Sequence, residues 1–244
     1  LVGSEMCIRD RICTILIQYG VVMKLSEETL AVLKNFSAIN NGIFFEKGKT
    51  IKTVSPQKSI LVDATVEEEF PSDFGIYDLN KFLGAHSLFE SPEISFEDKY
   101  LTLTSDKTQV NYSYCDASLV VRPPNKEVAL PSVDVTFKMS NTVYDSVVKA
   151  ALVLGVPEIA IVGDSSRIKL VASESKNTMS DKFSYDIGET DKTFSMIFKV
   201  ENFSKLMSRN YTVSVSARGL SKFESDDGKL TYHVAIEPNS NFEG

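Results

Sequence analysis

Cysteine is scarce in this 244-residue chain, and histidine is scarcer, with three of the first and two of the second. Cys115 is the one cysteine beyond the first 22 residues. That excludes an internal disulfide framework there and points to a reducing compartment. His86 and His233 are far apart, and neither has a cysteine or carboxylate at metal-ligand spacing. Also missing are a glycine-rich phosphate loop, a Gly-x-Ser-x-Gly elbow and a carboxylate pair in a recognisable frame. An enzyme is disfavoured on these grounds, and no metal or cofactor is expected. The net charge of −7 excludes a bulk basic surface for nucleic acid. Long apolar runs are lacking too. Ile12 to Val22, 11 residues behind Arg9-Asp10-Arg11, is too short to span a bilayer, so no membrane partner is expected.

Isolated candidates for chemistry each have a plainer reading. Glu67-Glu68-Glu69 reads better as a solvated strand end than as a metal site, Asp226-Asp227 as a turn, and Cys115 as packing among strand tyrosines. His86 falls on the apolar side of a helix with Leu79, Phe82 and Leu83, where a histidine at the edge of the core is the commoner case. Residues 1–22 fit poorly with the rest of the chain and read as extraneous leader. A secretory signal is the alternative, opposed by Glu5 and Asp10 in the would-be basic region and by the lack of a small-residue cleavage site. Met23 reads as the start of the folded chain.

What the chain does contain is a repetition. The helix pattern from Ser26 to Ile39 gathers Leu25, Thr29, Val32, Leu33 and Phe36 on one side, with Ser26 placed as N-cap. A second, Ser140 to Leu154, does the same with Val143, Val147, Ala150, Ala151 and Leu154. Each is followed by four strand-like runs, a short helical stretch (Asp78–Leu83; Val200–Met207) and three more runs. The runs after the first helix are Gly42–Phe45, Thr50–Val54, Ile60–Val66, Phe74–Tyr77, Glu93–Phe96, Tyr100–Thr104 and Gln109–Tyr114. Those after the Ser140–Leu154 helix are Glu158–Val162, Arg167–Ala172, Phe183–Ile187, Thr193–Phe198, Tyr211–Ala217, Leu220–Glu224 and Leu230–Ile236, with Asp227-Gly228 as a hairpin turn. The implied division is a domain at 23–120, an extended connector at 121–132 stiffened by Pro123-Pro124, and a second domain at 133–244. A duplication of this kind argues for an assembly of repeated surfaces over a single pocket.

Charge is divided unevenly between the elements. The four helical stretches and their flanks carry eight cations and five anions, a net +3. With a neutral leader, the strands, connector and tail therefore hold −10 of a total of −7. Lys34, Lys81, Lys149, Lys205 and Arg209 fall on helix sides away from the apolar stripe. An ordinary solvated face explains that. So does a weakly basic face that surrounds an anionic polymer without gripping it.

The residues at this point resemble the sliding clamps of T-even-type tailed bacteriophages. The likeness lies in MKLSEETLAVLKNFSAINNGI (Met23–Ile43), in IYDLNKFLG (Ile76–Gly84) and in VVRPPNK (Val120–Lys126), and runs on more loosely to Glu237. The resemblance implies an α+β DNA-clamp fold, with two duplicated domains whose helices pack on antiparallel sheets, assembled as a homotrimeric ring. It further implies that the helices line a hole around duplex DNA, that a DNA polymerase is tethered, and that a separate ATP-driven clamp loader opens the ring, in the cytoplasm of an infected bacterium. Lys34, Lys81, Lys149, Lys205 and Arg209 are the expected DNA-facing residues. A partner-peptide pocket is expected from Val128, Leu130 and Pro131 facing Ala235, Ile236 and Pro238. Gln109–Tyr114 and Arg167–Ala172 are the candidate subunit-pairing strands. The rival reading is a non-enzymatic β-rich viral structural or ligand-binding module.

Overall fold

The computed structural model describes residues 22–124, 126–177 and 179–243. The first half contains β1 (Val22–Met23), α1 (Glu27–Ile39), β2 (Ile43–Phe45), β3 (Gly48–Val54), β4 (Ile60–Phe70), β5 (Phe74–Ile76), α2 (Leu79–His86), β6 (Glu93–Phe96), β7 (Tyr100–Ser105) and β8 (Thr108–Ser113). The second contains β9 (Val135–Met139), α3 (Asn141–Leu154), β10 (Glu158–Asp164), β11 (Arg167–Ser173), β12 (Phe183–Glu189), β13 (Thr193–Lys199), α4 (Val200–Phe203), β14 (Tyr211–Ser216), β15 (Leu220–Ser225), β16 (Leu230–Ala235) and β17 (Asn241–Phe242). Up to β17 the two halves share one element order. Val22, assigned to the leader on sequence, pairs with Ser95 in β1. The rest of the Ile12–Val22 run lies outside the described residues.

Local chemistry sets the helix ends. Ser26 and Ser140 each accept from the backbone N–H three residues on, and Asp78 does so for α2. Gly155 closes α3 at φ 64°, a left-handed conformation that suits glycine. Thr29, Val32, Leu33, Phe36 and Ile39 of α1 are buried as their spacing demands. The buried side of α3 differs from the expected one. It is Tyr144, Val147 and Ala151, while Ala150 is half-buried and Leu154 exposed. An apolar pattern omits Tyr144 because its hydroxyl is polar; in the fold that hydroxyl donates to the carbonyls of Phe203 and Leu206. α4 ends at Phe203 and not at Met207, because the following N–H groups bond only three residues back, Lys205 to Asn202 and Leu206 to Phe203. Beyond the helix, the carbonyls of Lys205 and Leu206 accept from Asn35 and Tyr144.

Antiparallel ladders join the elements into a four-stranded sheet β1-β6-β7-β8, a five-stranded sheet β12-β11-β10-β13-β17, a six-stranded sheet β3-β4-β16-β15-β14-β9 and the pair β2-β5. The six-stranded sheet crosses between the halves, with Leu230, Tyr232 and Val234 of β16 opposite Ala64, Val62 and Ile60 of β4. The repeat can be followed pair by pair. Met23 and Phe137 each stand three residues before a capping serine, and the ladders run Met23–Ile94–Leu103–Val110 and Phe137–Val213–Phe223–Tyr232. By position β8 is therefore the counterpart of β16, and β12 of β4. The counterparts β16 and β4 pair with one another, whereas β8 and β12 each end a sheet with an unpaired edge. Arg167–Ala172, expected as an edge, lies instead inside its sheet as β11, paired with β10 on one side and β12 on the other. The edge is Phe183–Glu189.

α1 packs on β3 and β4, α3 on β10, β11 and β12, and α4 on β10 and β13, and contacts link the helices into a layer in the order α2-α1-α4-α3. α1 and α2 pack together. Asn35 of α1 donates to the Lys205 carbonyl at 2.7 Å and accepts from the Tyr232 hydroxyl at 2.8 Å, and Glu28 pairs with Arg209. Tyr144 then ties α3 to α4, assisted by Ser208 donating to Asp145 at 2.8 Å.

Candidate functional site

Two surfaces stand out, on opposite sides of the molecule. On the helix layer, Lys34, Lys81 and Lys149 are exposed, and among the described residues none has a carboxylate within ion-pair distance. Lys205 is half-buried in the turn after α4. Arg209 is placed differently. Its side chain is 24% exposed and is held by both Glu28 and Asp227, the latter at 3.4 Å. It functions there as a tie between the two halves, its charge already compensated.

The opposite surface is the outer face of the six-stranded sheet, across which the connector runs. Its first end is pinned by Asn40, whose amide donates to the Val121 carbonyl at 3.1 Å. Beside it the Arg122 guanidinium lies 3.9 Å from the Phe44 ring centroid, with Glu46 at 3.4 Å. Its far end is held through Asp134, which accepts from Ala217 N–H and Ser132 and whose carbonyl takes the Lys192 ammonium at 2.8 Å. Backbone and hydroxyl hydrogen bonds hold the Asp134 carboxyl below the usual carboxylate range.

Between these anchors the connector leaves a cleft with two chambers. One, about 360 Å³, is walled by Val54, Leu61, Pro124, Val128 and Leu220, with His233 in its lining and Lys58 and Arg122 at its margin. The other, about 700 Å³, reaches along the sheet past Leu130 and Val133 to Ser214. Val128, Pro124, Leu61 and His233 line both. His233 is buried, and burial lowers its pKa, opposed mainly by Asp63; its Nδ1 has no hydrogen-bond partner. Of the residues expected here, Val128 and Leu130 line the cleft. Pro131 is exposed on the connector, Ile236 is buried in the core, Ala235 is half-buried and Pro238 exposed; neither chamber is lined by any of these four. The sheet side is formed instead by Leu61, Leu220 and His233. A signal for them existed. Leu61 is an apolar residue at an outward position of a strand whose other outward residues are Asp63, Thr65 and Glu67.

Among the described residues no group of three His, Cys, Asp or Glu side chains is close enough to hold a metal. Cys115 packs against Gly75, where an added Cβ would meet its Sγ at 2.9 Å, and burial pushes its thiol up, away from a reactive thiolate. His86 is buried on α2, and burial lowers its pKa.

Two helix-bearing, sheet-backed repeats joined by a shared ladder, with a strapped outer cleft, define the DNA-clamp fold. Solved structures agree. A. fulgidus PCNA superposes with a TM-score of 0.68 over 91% of this chain and 99% of that one, at 16% identity. The family model for DNA polymerase processivity factors matches residues 26–122. The sliding clamp of Vibrio phage KVP40 is 31% identical over 88% of this chain and 99% of its own length, and that of Enterobacteria phage T4 is 30% identical over 89% and 98%. The chain belongs to the sliding-clamp family of phage DNA polymerase processivity factors.

Proposed function

We propose that three copies close head to tail into a ring around duplex DNA, and that the ring, with no chemistry of its own, tethers the replicative polymerase by encirclement. The observation that carries this reading is the matched pair of unpaired edges. The β4–β16 ladder joins two domains inside one chain, and their counterparts β12 and β8 each stand free at the edge of a separate sheet. Placing β12 of one copy beside β8 of the next repeats the internal seam. Val110 and Tyr112 then share a face with Phe183, Tyr185 and Ile187, all half-buried or exposed apolar side chains of the core-facing side. Exposed edges are ordinarily blunted, so two long apolar-backed ones serve pairing.

Size supports three. At about 10 Å per helix, twelve helices set side by side enclose a hole of about 30 Å, wide enough for a duplex and water, whereas eight leave about 15 Å. Lys34, Lys81 and Lys149 would face that hole and contact phosphates weakly through water. Lys205 and Arg209 would contribute less, being partly buried or already paired. Few phosphate contacts mean low, salt-sensitive affinity, which permits sliding. The acidic sheets outside would discourage DNA from binding elsewhere.

The connector cleft is the proposed docking site for a short hydrophobic segment of the polymerase and of an ATP-driven loader, all within the infected host's cytoplasm. A fold relative, A. fulgidus PCNA, is itself described bound to the C-terminal region of FEN-1. The test of the whole reading is imaging by negative stain together with retention on circular DNA. A ring that stays on a closed circle and leaves when the circle is cut is expected. A monomer, or a particle that remains on linear DNA, would overturn it.

A further inference from the structure

The joint inside the chain and the joint proposed between copies follow one plan but carry different chemistry. Inside the chain, α1 meets the segment after α4 through polar ties. Glu28 pairs with Arg209, and the Asn35 side chain donates to the Lys205 carbonyl at 2.7 Å and accepts from the Tyr232 hydroxyl at 2.8 Å. The repeat identifies which residues stand in these places at the other joint. The buried positions Thr29, Val32 and Phe36 of α1 recur with the same spacing in α3 as Tyr144, Val147 and Ala151. Glu28, Asn35 and Ile39 then correspond to Val143, Ala150 and Leu154. On the other side, Val200 and Phe203 of α4 recur in α2 as Leu79 and Phe82, so Arg209 corresponds to Leu88. The ladders equate Tyr232 with Val110. Each side chain of the polar ties therefore has an apolar counterpart.

Those counterparts are incompletely covered in the single chain. Val143 and Ala150 are half-buried, Leu154 is 36% exposed and Leu88 is 72% exposed, although the spacing of the first three marks them as one apolar stripe. They sit at the two ends of the helix layer. α3 packs on β12, whose edge is free. α2 is tied to the other free-edged strand, β8, where Tyr112 donates to the Asp78 carbonyl at 2.8 Å and meets the Phe82 ring edge-on. Joining β12 of one copy to β8 of the next brings the two ends together, as β4 and β16 bring α1 and α4 together.

We propose that the joint between copies is one that cold loosens and moderate salt does not. In the helix layer it is closed by Val143, Ala150 and Leu154 of one copy against Leu88 and Val110 of the next, where the internal joint has an ionic and hydrogen-bonded tie. This rests on the ring reading, and the experiment separates the two. Apolar contact weakens on cooling, whereas an exposed ion pair is screened by salt. Sedimentation velocity of the full chain follows the trimer. The unmodified trimer is expected to be about fivefold weaker at 4 °C than at 30 °C, and to change less than about twofold between 0.05 and 0.3 M sodium chloride. Val143→Glu and Leu88→Arg, both outside the single chain's deep core, should each weaken it about tenfold. Combined, they should recover most of that loss, because the pair reproduces the Glu28–Arg209 tie across copies, and the recovered trimer should weaken with salt. A trimer that neither single change disturbs, or that the double change fails to recover, would overturn the helix contact and leave the ring standing. So would an unmodified trimer that salt loosens and cold does not. A chain that is monomeric at every temperature would remove the ring and this joint with it.

Discussion

Glu68 is a strand residue that completes a helix. It projects from β4 so that its two carboxylate oxygens accept from the Ser26 N–H and the Thr29 hydroxyl at the start of α1. Burial alone would raise its pKa, but the bonds from Thr29 and Ser26 outweigh that and hold it below its ordinary value. The stabilisation this implies is present above the unfolded pKa, 4.5, and is lost as pH falls below it. Glu68→Gln should cost about 1–2 kcal/mol at pH 7 by urea denaturation. The gap to the unmodified chain should narrow on acidification; a gap unchanged at pH 3.5 would mean the charge is irrelevant. The histidines act at higher pH. Burial lowers the pKa of both His86 and His233 from 6.5. The unfolded chain therefore binds more protons just below pH 6.5, and stability falls as pH drops through that window. The His86→Asn/His233→Asn variant should show a flatter dependence of melting temperature between pH 7 and 5.5. An unaltered slope would place the proton uptake elsewhere.

At the scale of elements, strand alternation and capping serines make most of the order readable, because both signals are local. The pattern locates Glu93–Phe96 to the residue, and α1 to its cap. It misleads where distant residues decide. β11 and β12 are both plausible strands, and only the ladder shows that Arg167–Ser173 has neighbours on both sides while Phe183–Glu189 has one. The turn that follows α4 is held by Tyr144, 56 positions upstream of the helix's first residue. The connector cleft is half legible: Val128 and Leu130 stand out in a polar segment, but their facing residues depend on which strands lie beneath. Two tests belong here. Tyr185→Asp in β12, or Val110→Asp in β8, should each yield monomers by light scattering with secondary structure intact by circular dichroism, since the charges fall on the proposed seam and outside the monomer's deep core. A persisting trimer in both would assign the seam to other strands. Tyr144→Phe should destabilise by about 1–3 kcal/mol, because two buried carbonyls lose their donor.

At the scale of the whole molecule, the helix layer and the seams do different work, and their variants should separate cleanly. In the proposed ring, phosphate contacts set how readily DNA is centred and slid upon. With about one contact from each of three lysines per subunit, their affinity is too salt-sensitive to account for long residence. In the proposed ring, residence depends on closure, hence on the β12–β8 seam. Lys34→Gln/Lys81→Gln/Lys149→Gln should therefore lower loading and polymerase stimulation several-fold, yet whatever is loaded should stay on closed circles and leave promptly when they are cut. Tyr185→Asp should give the reverse pattern, keeping the basic face but shortening dwell on closed circles to that on linear DNA. If the lysine changes left loading and stimulation untouched, the DNA-facing assignment would fall. If they shortened dwell on closed circles as much as the seam change does, retention would be electrostatic and encirclement the wrong account.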